Sequence, residues 1–339
     1  MRESVDVQNG TTVVKDGTID ISIKGKWISV PALNVEGKDI VVRGKWLKMA
    51  LVEAEEWLET DVQDPEFCVS MLRKRSSGPL RADIFTFAQK LPATEPRFKY
   101  YMERDSVAVA DTTTFQGWWD HLPQESRKNV RRAQKRGVEV RVKELDDELI
   151  RGLMDLNNDS PVRQGKPYTH FGKNFEQVKK DQESFPDRRD LICAYAGDEL
   201  IGFAKIIYRN DIASILQILP KASQNDKRPA NAMMAKLVEL CEQKKISSLT
   251  FGKFHYGNKR GDRLQEFKIR NGFEEVLVPR YYIPLTLKGK ICMKLKLHRG
   301  LIGIFPHWVI MFGNAVRARL YRLRCSINWS KSIPAGIES

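Results

Sequence analysis

Between residues 138 and 285 the apolar positions switch repeatedly between a two-residue and a 3.6-residue period. Residues 138–142 (Val-Glu-Val-Arg-Val) alternate apolar and charged, as a half-exposed strand does. Residues 146–157 put Leu149, Ile150, Leu153 and Leu156 on one side of a helix, and 174–185 predict a second helix. Strands follow over 191–196, 200–208 and 212–219, separated by tight turns at Gly197-Asp198 and Asn210-Asp211. The polar, basic stretch 221–229 opens onto a helix over 230–244; 248–251 is a strand, 263–270 a short helix and 273–285 a last strand. The order is β-α-α-β-β-β-α-β-α-β, a mixed α/β (α+β) class with one sheet.

The pattern ahead of this is richer in strands. Residues 19–23 alternate, 40–42 are β-branched, 82–87 read as a strand and 98–110 as one or two more. Ile23-Lys-Gly-Lys-Trp-Ile28 and Val42-Arg-Gly-Lys-Trp-Leu47 echo each other; two copies are too few for a solenoid, so each predicts a strand beginning after a turn and burying its Trp. A helix over 124–136 carries Arg127, Arg131 and Lys135 in one row and Lys128, Arg132 and Arg136 in the next, with Val130 and Ala133 facing inward. That face is either solvated or aimed at an anionic ligand.

Composition narrows the partners. The 339 residues favour two domains, and 42% hydrophobic with 29% charged residues is ordinary for a globular chain. An excess of 57 basic over 43 acidic residues gives +14, which favours a phosphorylated cofactor, a nucleic acid or an acidic membrane surface. Five scattered cysteines without a CxxC predict free thiols in a reducing, cytoplasmic setting and no metal site, and the N-terminus has no secretory h-region. No HExxH, GxSxG, P-loop or dinucleotide fingerprint is present, which removes the commonest hydrolase, NTPase and dehydrogenase classes.

Three motifs give the element order a family. They are the Gly-Asp-Glu-Leu-Ile-Gly hairpin over 197–202, the strand–loop–helix unit over 216–236, and Phe267-Lys-Ile-Arg-Asn-Gly-Phe273. Together they resemble the GNAT acyltransferases. The segment Leu122-Pro-Gln-Glu-Ser-Arg-Lys-Asn-Val-Arg-Arg-Ala-Gln-Lys-Arg-Gly-Val-Glu-Val140 resembles the two-lobed Fem-like and exopolysaccharide-associated branch, whose first lobe is a degenerate GNAT-like half. The implied organisation is a β-rich lobe over 1–111, a GNAT core over 112–289 and a basic, partly apolar tail over 290–339.

The resemblance implies transfer of an acyl group from acyl-CoA, acetyl-CoA first, to an amine of an envelope or polysaccharide precursor, with no metal. It implies a cofactor site at Gln217, Ile218, Leu219, Lys227, Arg228, Ala230 and Asn231, where pyrophosphate meets a helix N-terminus. The loop Asn225-Asp-Lys-Arg-Pro-Ala-Asn231 lacks the family's glycines, and Lys268 stands where a leaving-group tyrosine is usual. Tyr256 is then the candidate general acid, with His255 or Glu266 relaying the substrate proton. Candidate acceptor contacts are Arg163, Gln164, Tyr168 and His170 in a polar loop, and Lys253, Asn258, Lys259, Arg280 and Tyr281 among the later cations and aromatics.

Two other readings stay open: a Fem-type aminoacyltransferase using aminoacyl-tRNA, and an inactive GNAT-like binding protein. Against the first, no long polar helical segment provides a transfer-RNA arm. In the tail, 301–316 is apolar but interrupted by Pro306, His307 and Asn314, too short to span a bilayer. With its flanking cations over 290–324 it predicts either a helix docked on the protein or a peripheral contact with an anionic membrane.

Overall fold

A computed structural model describes residues 14–163, 166–255 and 263–300. The first half opens with four antiparallel neighbours, β1 (Val14–Ile23), β2 (Lys26–Val35), β3 (Lys38–Arg43) and β4 (Met49–Val52). Helix α1 (Pro65–Arg73) then leads to β5 (Ile84–Ala88), parallel to β4. Asp64 caps α1 by accepting from the Phe67 N–H, and Pro65 fills the first turn, where no donor is needed. After β6 (Met102–Asp111) come α2 (Phe115–His121) and α3 (Gln124–Lys135).

The second half repeats the plan. It runs β7 (Val138–Lys143), α4 (Asp147–Asn158), a two-strand ribbon of β8 (Val162–Arg163) and β9 (Lys166–Pro167), α5 (Phe175–Gln182), then β10 (Arg189–Ala196), β11 (Glu199–Arg209) and β12 (Ile212–Pro220). Helix α6 (Pro229–Gln243) crosses to β13 (Ser248–Lys253), parallel to β12, and α7 (Arg263–Arg270), β14 (Glu274–Pro284) and α8 (Leu287–Lys294) finish the described chain.

The strands form a twelve-stranded sheet in the order β1-β2-β3-β4-β5-β14-β6-β13-β12-β11-β10-β7. From either edge it reads alike: four antiparallel strands, a parallel partner reached through a helix, then one antiparallel strand. That last strand is exchanged. β14 follows the second half in sequence but pairs with β5, and β6 follows the first half but pairs with β13. The N-terminal half is thus a reduced copy of the C-terminal one, and neither lobe is one contiguous stretch of chain.

Helices cover both faces of the second lobe. Against one face α2, α3 and α6 bury Trp118, Val130, Ala133, Met233 and Leu237 on Ile206 and Ile215; against the other α4 and α5 bury Leu149, Leu153 and Val178 on Phe203 and Leu219. A third core, with Leu33, Ile40, Phe85, Phe87 and Tyr281, lies under α1. The β1–β2 hairpin curls back to the second lobe. Trp27 donates from Nε1 to Asp181 on α5 (2.9 Å), and Lys180 donates to Asp20 (2.7 Å).

The expected burial of both echoed tryptophans is corrected here. Trp27 is half-buried by its contact with α5, and Trp46, on the β3–β4 turn, is 62% exposed. The turns themselves are as read, with Gly25 and Gly44 at positive φ.

Candidate active site

The centre of the site is where β12 and β13 part. They pair only from Ile212↔Ser248 to Ser214↔Thr250, although β12 runs on to Pro220 and β13 to Lys253. On its other side β12 stays joined to β11, through a bulge that moves the register from Ile206↔Ile215 to Lys205↔Gln217. Parting and bulge leave backbone groups of 215–219 without a strand partner on the β13 side, and such groups can bind a carbonyl or an extended ligand.

A cavity of about 400 Å³ opens beside this strand end, lined by Tyr168, Thr169, His170, Asp181, Gln182, Ser184, Lys205 and residues 216–219. Asp181 is held by three donors: Trp27 Nε1, Lys173 Nζ and His170 Nδ1 (2.9 Å). Burial pushes its carboxyl up, but these donors outweigh burial and hold it below the usual range. Its charge is spent.

Lys205 is different. It is 2% exposed and, among the described residues, has no carboxylate in ion-pair reach; its Nζ donates to the Gln182 carbonyl (3.0 Å) and Ser184 Oγ (2.8 Å). Burial, with nearby Arg189 second, pushes its ammonium down to about 7. A neutral amine has two N–H donors and one lone pair, so these bonds use both donors and leave the lone pair free. Beside it Gln182 donates from Nε2 to Gln217 Oε1 (3.1 Å), and Gln182 Oε1 is buried without a partner among the described residues. Lys205 and Gln217 are directly opposed across β11 and β12, which brings their side chains together on one face.

The N-terminus of α6 follows β12. Arg228 caps it in the left-handed conformation (φ 60°, ψ 41°), with Pro229 in the first turn. An arginine thus adopts the backbone shape for which a glycine is usual. The first-turn N–H groups of a helix lack intrahelical partners and attract anions. Arg228 Nε is buried there without a partner among the described residues, Lys227 adjoins it, and Arg136, at the end of α3, bonds Asp226 in the same loop (2.7 Å). Gly202 lets this end approach β11: a Cβ there would lie 2.9 Å from Met233 Cε and 3.2 Å from Pro229 Cβ. An orphaned guanidinium donor at a helix N-terminus fits a pyrophosphate.

Other sequence-predicted residues distribute unevenly. Gln217, Ile218, Leu219, Tyr168 and His170 line the cavity; Tyr168 OH donates to Asn157 (2.9 Å). Lys227, Arg228, Ala230 and Asn231 gather at the α6 N-terminus. Arg163 turns away to the carbonyls of Pro220 (2.9 Å) and Leu156 (3.1 Å) and stacks on Tyr168, so it anchors the β8–β9 ribbon to the strand end. Lys253 and Arg280 line a separate small cleft, where Asp105 takes both (3.1 and 2.5 Å) and Glu55 takes Arg280 (2.7 Å). Substrate contact by Tyr281 is corrected: it is 0% exposed, and its hydroxyl donates to Gln89 (2.6 Å) and accepts from the Arg97 N–H (2.9 Å).

Neither His255 nor Glu266 lines the cavity. His255 pairs with Glu275 (3.3 Å), and Glu266 with Arg270 one turn along α7 (2.5 Å). Lys268 is fully buried and donates to the Lys253 carbonyl (2.5 Å), bracing the free end of β13. Tyr256, Gln164, Asn258 and Lys259 lie outside the described residues. Lys205, Asp181 and Gln182 escaped sequence reasoning. The signal for Lys205 was a lone cation, two residues from Phe203, on the inward side of an apolar strand.

Residues 124–268 match the acetyltransferase (GNAT) domain model. That stretch, from α3 to α7, is a GNAT-type acetyltransferase domain. No curated protein matches it by sequence. The two-lobed GNAT fold resembles that of FemX, with a TM-score of 0.51 at 10% identity over 84% of this chain and 90% of that one. It also resembles the C-terminal domain of a putative lysylphosphatidylglycerol synthetase from Agrobacterium fabrum, with a TM-score of 0.50 at 13% identity over 81% and 88%. At these identities the likeness speaks for the fold. Among the described residues no cluster of His, Cys, Asp and Glu could hold a metal ion, and no helix is long and apolar enough to cross a membrane.

Proposed function

We propose that this GNAT enzyme transfers an acyl group from acyl-coenzyme A, acetyl-CoA first, to the amine of an uncharged, hydroxyl-bearing acceptor such as an amino sugar in an envelope or polysaccharide precursor. The observation that carries the reading is the parting of β12 from β13 between the α6 N-terminus and the 400 Å³ cavity. Lys227, Arg228 and the α6 N-terminus hold the donor's phosphates, and residues 216–219 hold its extended arm beside β12. The bound coenzyme supplies a thioester carbonyl and a thiolate leaving group. Unpaired backbone N–H groups of β12 hold the carbonyl oxygen as charge develops on it.

Lys205 takes the proton from the attacking amine at the Nζ lone pair and releases it as the thiolate departs. Gln182 Oε1 accepts an N–H or O–H from the acceptor. A polycation is disfavoured because Asp181, the only carboxylate among the described residues lining the cavity, is saturated by its three donors. A second reading takes aminoacyl-tRNA as donor. It draws on the exposed cationic face of α3 (Lys128, Arg131, Arg132 and Lys135), which ends beside the same loop at Arg136.

Thermal shift with acetyl-CoA, longer acyl-CoAs and bulk charged transfer RNA separates the two. Stabilisation by a CoA ester, followed by thiol release on adding an amino sugar, supports the first. A shift with transfer RNA alone moves the donor to the second, and silence with every CoA ester removes the first.

A further inference from the structure

Away from the cavity, α8 carries an apolar row that no other described element covers. Leu287 is 75% exposed, Ile291 50% and Leu295 63%; spaced four apart, they share one side of the helix. Trp46, 62% exposed on the β3–β4 turn, adjoins it, because Lys288 donates to the Trp46 carbonyl and lies over its ring (4.7 Å).

The opposite side of the helix is fixed. Gly289 packs so closely that a Cβ would lie 1.9 Å from the Asp83 carbonyl oxygen, Thr286 donates to Asp83 Oδ1 (2.9 Å), and Cys292 is buried. The row is therefore held rigidly outward, whereas isolated exposed leucines are unremarkable.

Charge decides what the row faces. Lys290 and Lys294 flank it on one side, with Lys296 just beyond, while Lys288 on the other side is paired with Asp83 (3.6 Å). Residues 286–300 contain no aspartate or glutamate, and neither do residues 43–48 around Trp46. A protein partner would need an apolar stripe framed by acids. An anionic bilayer offers both over a plane: acyl chains for Leu, Ile and Trp, and headgroup charge for lysines whose stems lie along the apolar surface. We infer that α8 and the Trp46 turn form a peripheral docking surface for an anionic lipid membrane.

The test is flotation of the full chain with phosphatidylcholine vesicles and with mixed phosphatidylcholine–phosphatidylglycerol vesicles, at low and high salt. Binding is expected to the mixed vesicles only and to weaken as salt rises. Leu287→Asn with Ile291→Asn should weaken it by at least about tenfold, and Lys290→Gln with Lys294→Gln by roughly tenfold or more at low salt. Wild-type salt dependence keeps the test decisive should a variant fold poorly. Failure to float with anionic vesicles, or equal flotation with neutral ones, overturns the inference. So does a dimer abolished by Leu287→Asn and Ile291→Asn, which assigns the row to a second copy.

Discussion

Replacing Lys205 with methionine keeps the length of the side chain and removes its amine. In an unfolded chain that amine titrates near 10.5, and in the folded cavity it is held near 7. Each pH unit between the two is worth about 1.4 kcal/mol, so at pH 7 burying the amine costs about 4 kcal/mol. Its hydrogen bonds offset part of that. Methionine forfeits them, yet the Gln182 carbonyl keeps a donor in Arg189, and half-buried Ser184 can turn to water. The net expectation is a variant more stable than the parent by about 1–3 kcal/mol at pH 7.

The pH dependence has a definite sign. Below pH 7 the amine is charged in both states and the whole penalty is present. Between about 7 and 10.5 the unfolded chain holds a proton that the folded chain lacks, so the parent gains stability as pH rises, by up to about 1.4 kcal/mol per unit. The variant lacks that gain, and the two curves converge as pH approaches 10. Urea unfolding between about pH 7 and pH 10 measures the difference, in which groups common to both chains cancel. A variant less stable at pH 7, or curves that stay parallel, would refute an unpaired buried amine. In the same preparation turnover should fall by about 10²- to 10⁴-fold, the usual worth of a general base. Gain of stability with loss of activity is the signature that a packing role for Lys205 does not produce.

Arg228→Gly suits the left-handed backbone, so the protein should unfold no earlier while its stabilisation by acetyl-CoA weakens by about tenfold; titration calorimetry reads the second and a melt the first. Gly202→Val crowds Met233 and Pro229 and should raise the KM for the CoA ester, in steady-state thiol release, more than that for the acceptor. The rate against pH should rise along a limb near 7 that Lys205→Met abolishes, and a limb that survives belongs to another base.

What was legible in the sequence follows from the range over which each feature is decided. From β7 to β14 the expected elements lie within a few residues of the observed ones, because period, turn residues and caps are local signals. Helix α1 went unread although Asp64-Pro65 marks its start, and α8 is too short for its period to stand out. The exchange of β6 and β14 was invisible, since pairing between strands far apart in sequence leaves no local trace.

The site divides along the same line. Gln217, Ile218 and Leu219 were placed by motif, and Tyr168 and His170 by a loop that the ribbon folds onto the strand end. Lys253 and Arg280 looked equally suitable as cations near the parting strands, but the exchange of β14 sets them beside Asp105 and Glu55, which neutralise them. A positive charge in sequence is only a candidate until its counter-ions are known. Lys205 is the converse: an unpromising residue in an apolar strand, given chemical meaning because, among the described residues, no carboxylate comes within ion-pair reach of it and nearby Asp181 is held by other donors. Catalytic potential in this enzyme is decided by the distribution of partners more than by residue type, and that distribution is set by tertiary contacts.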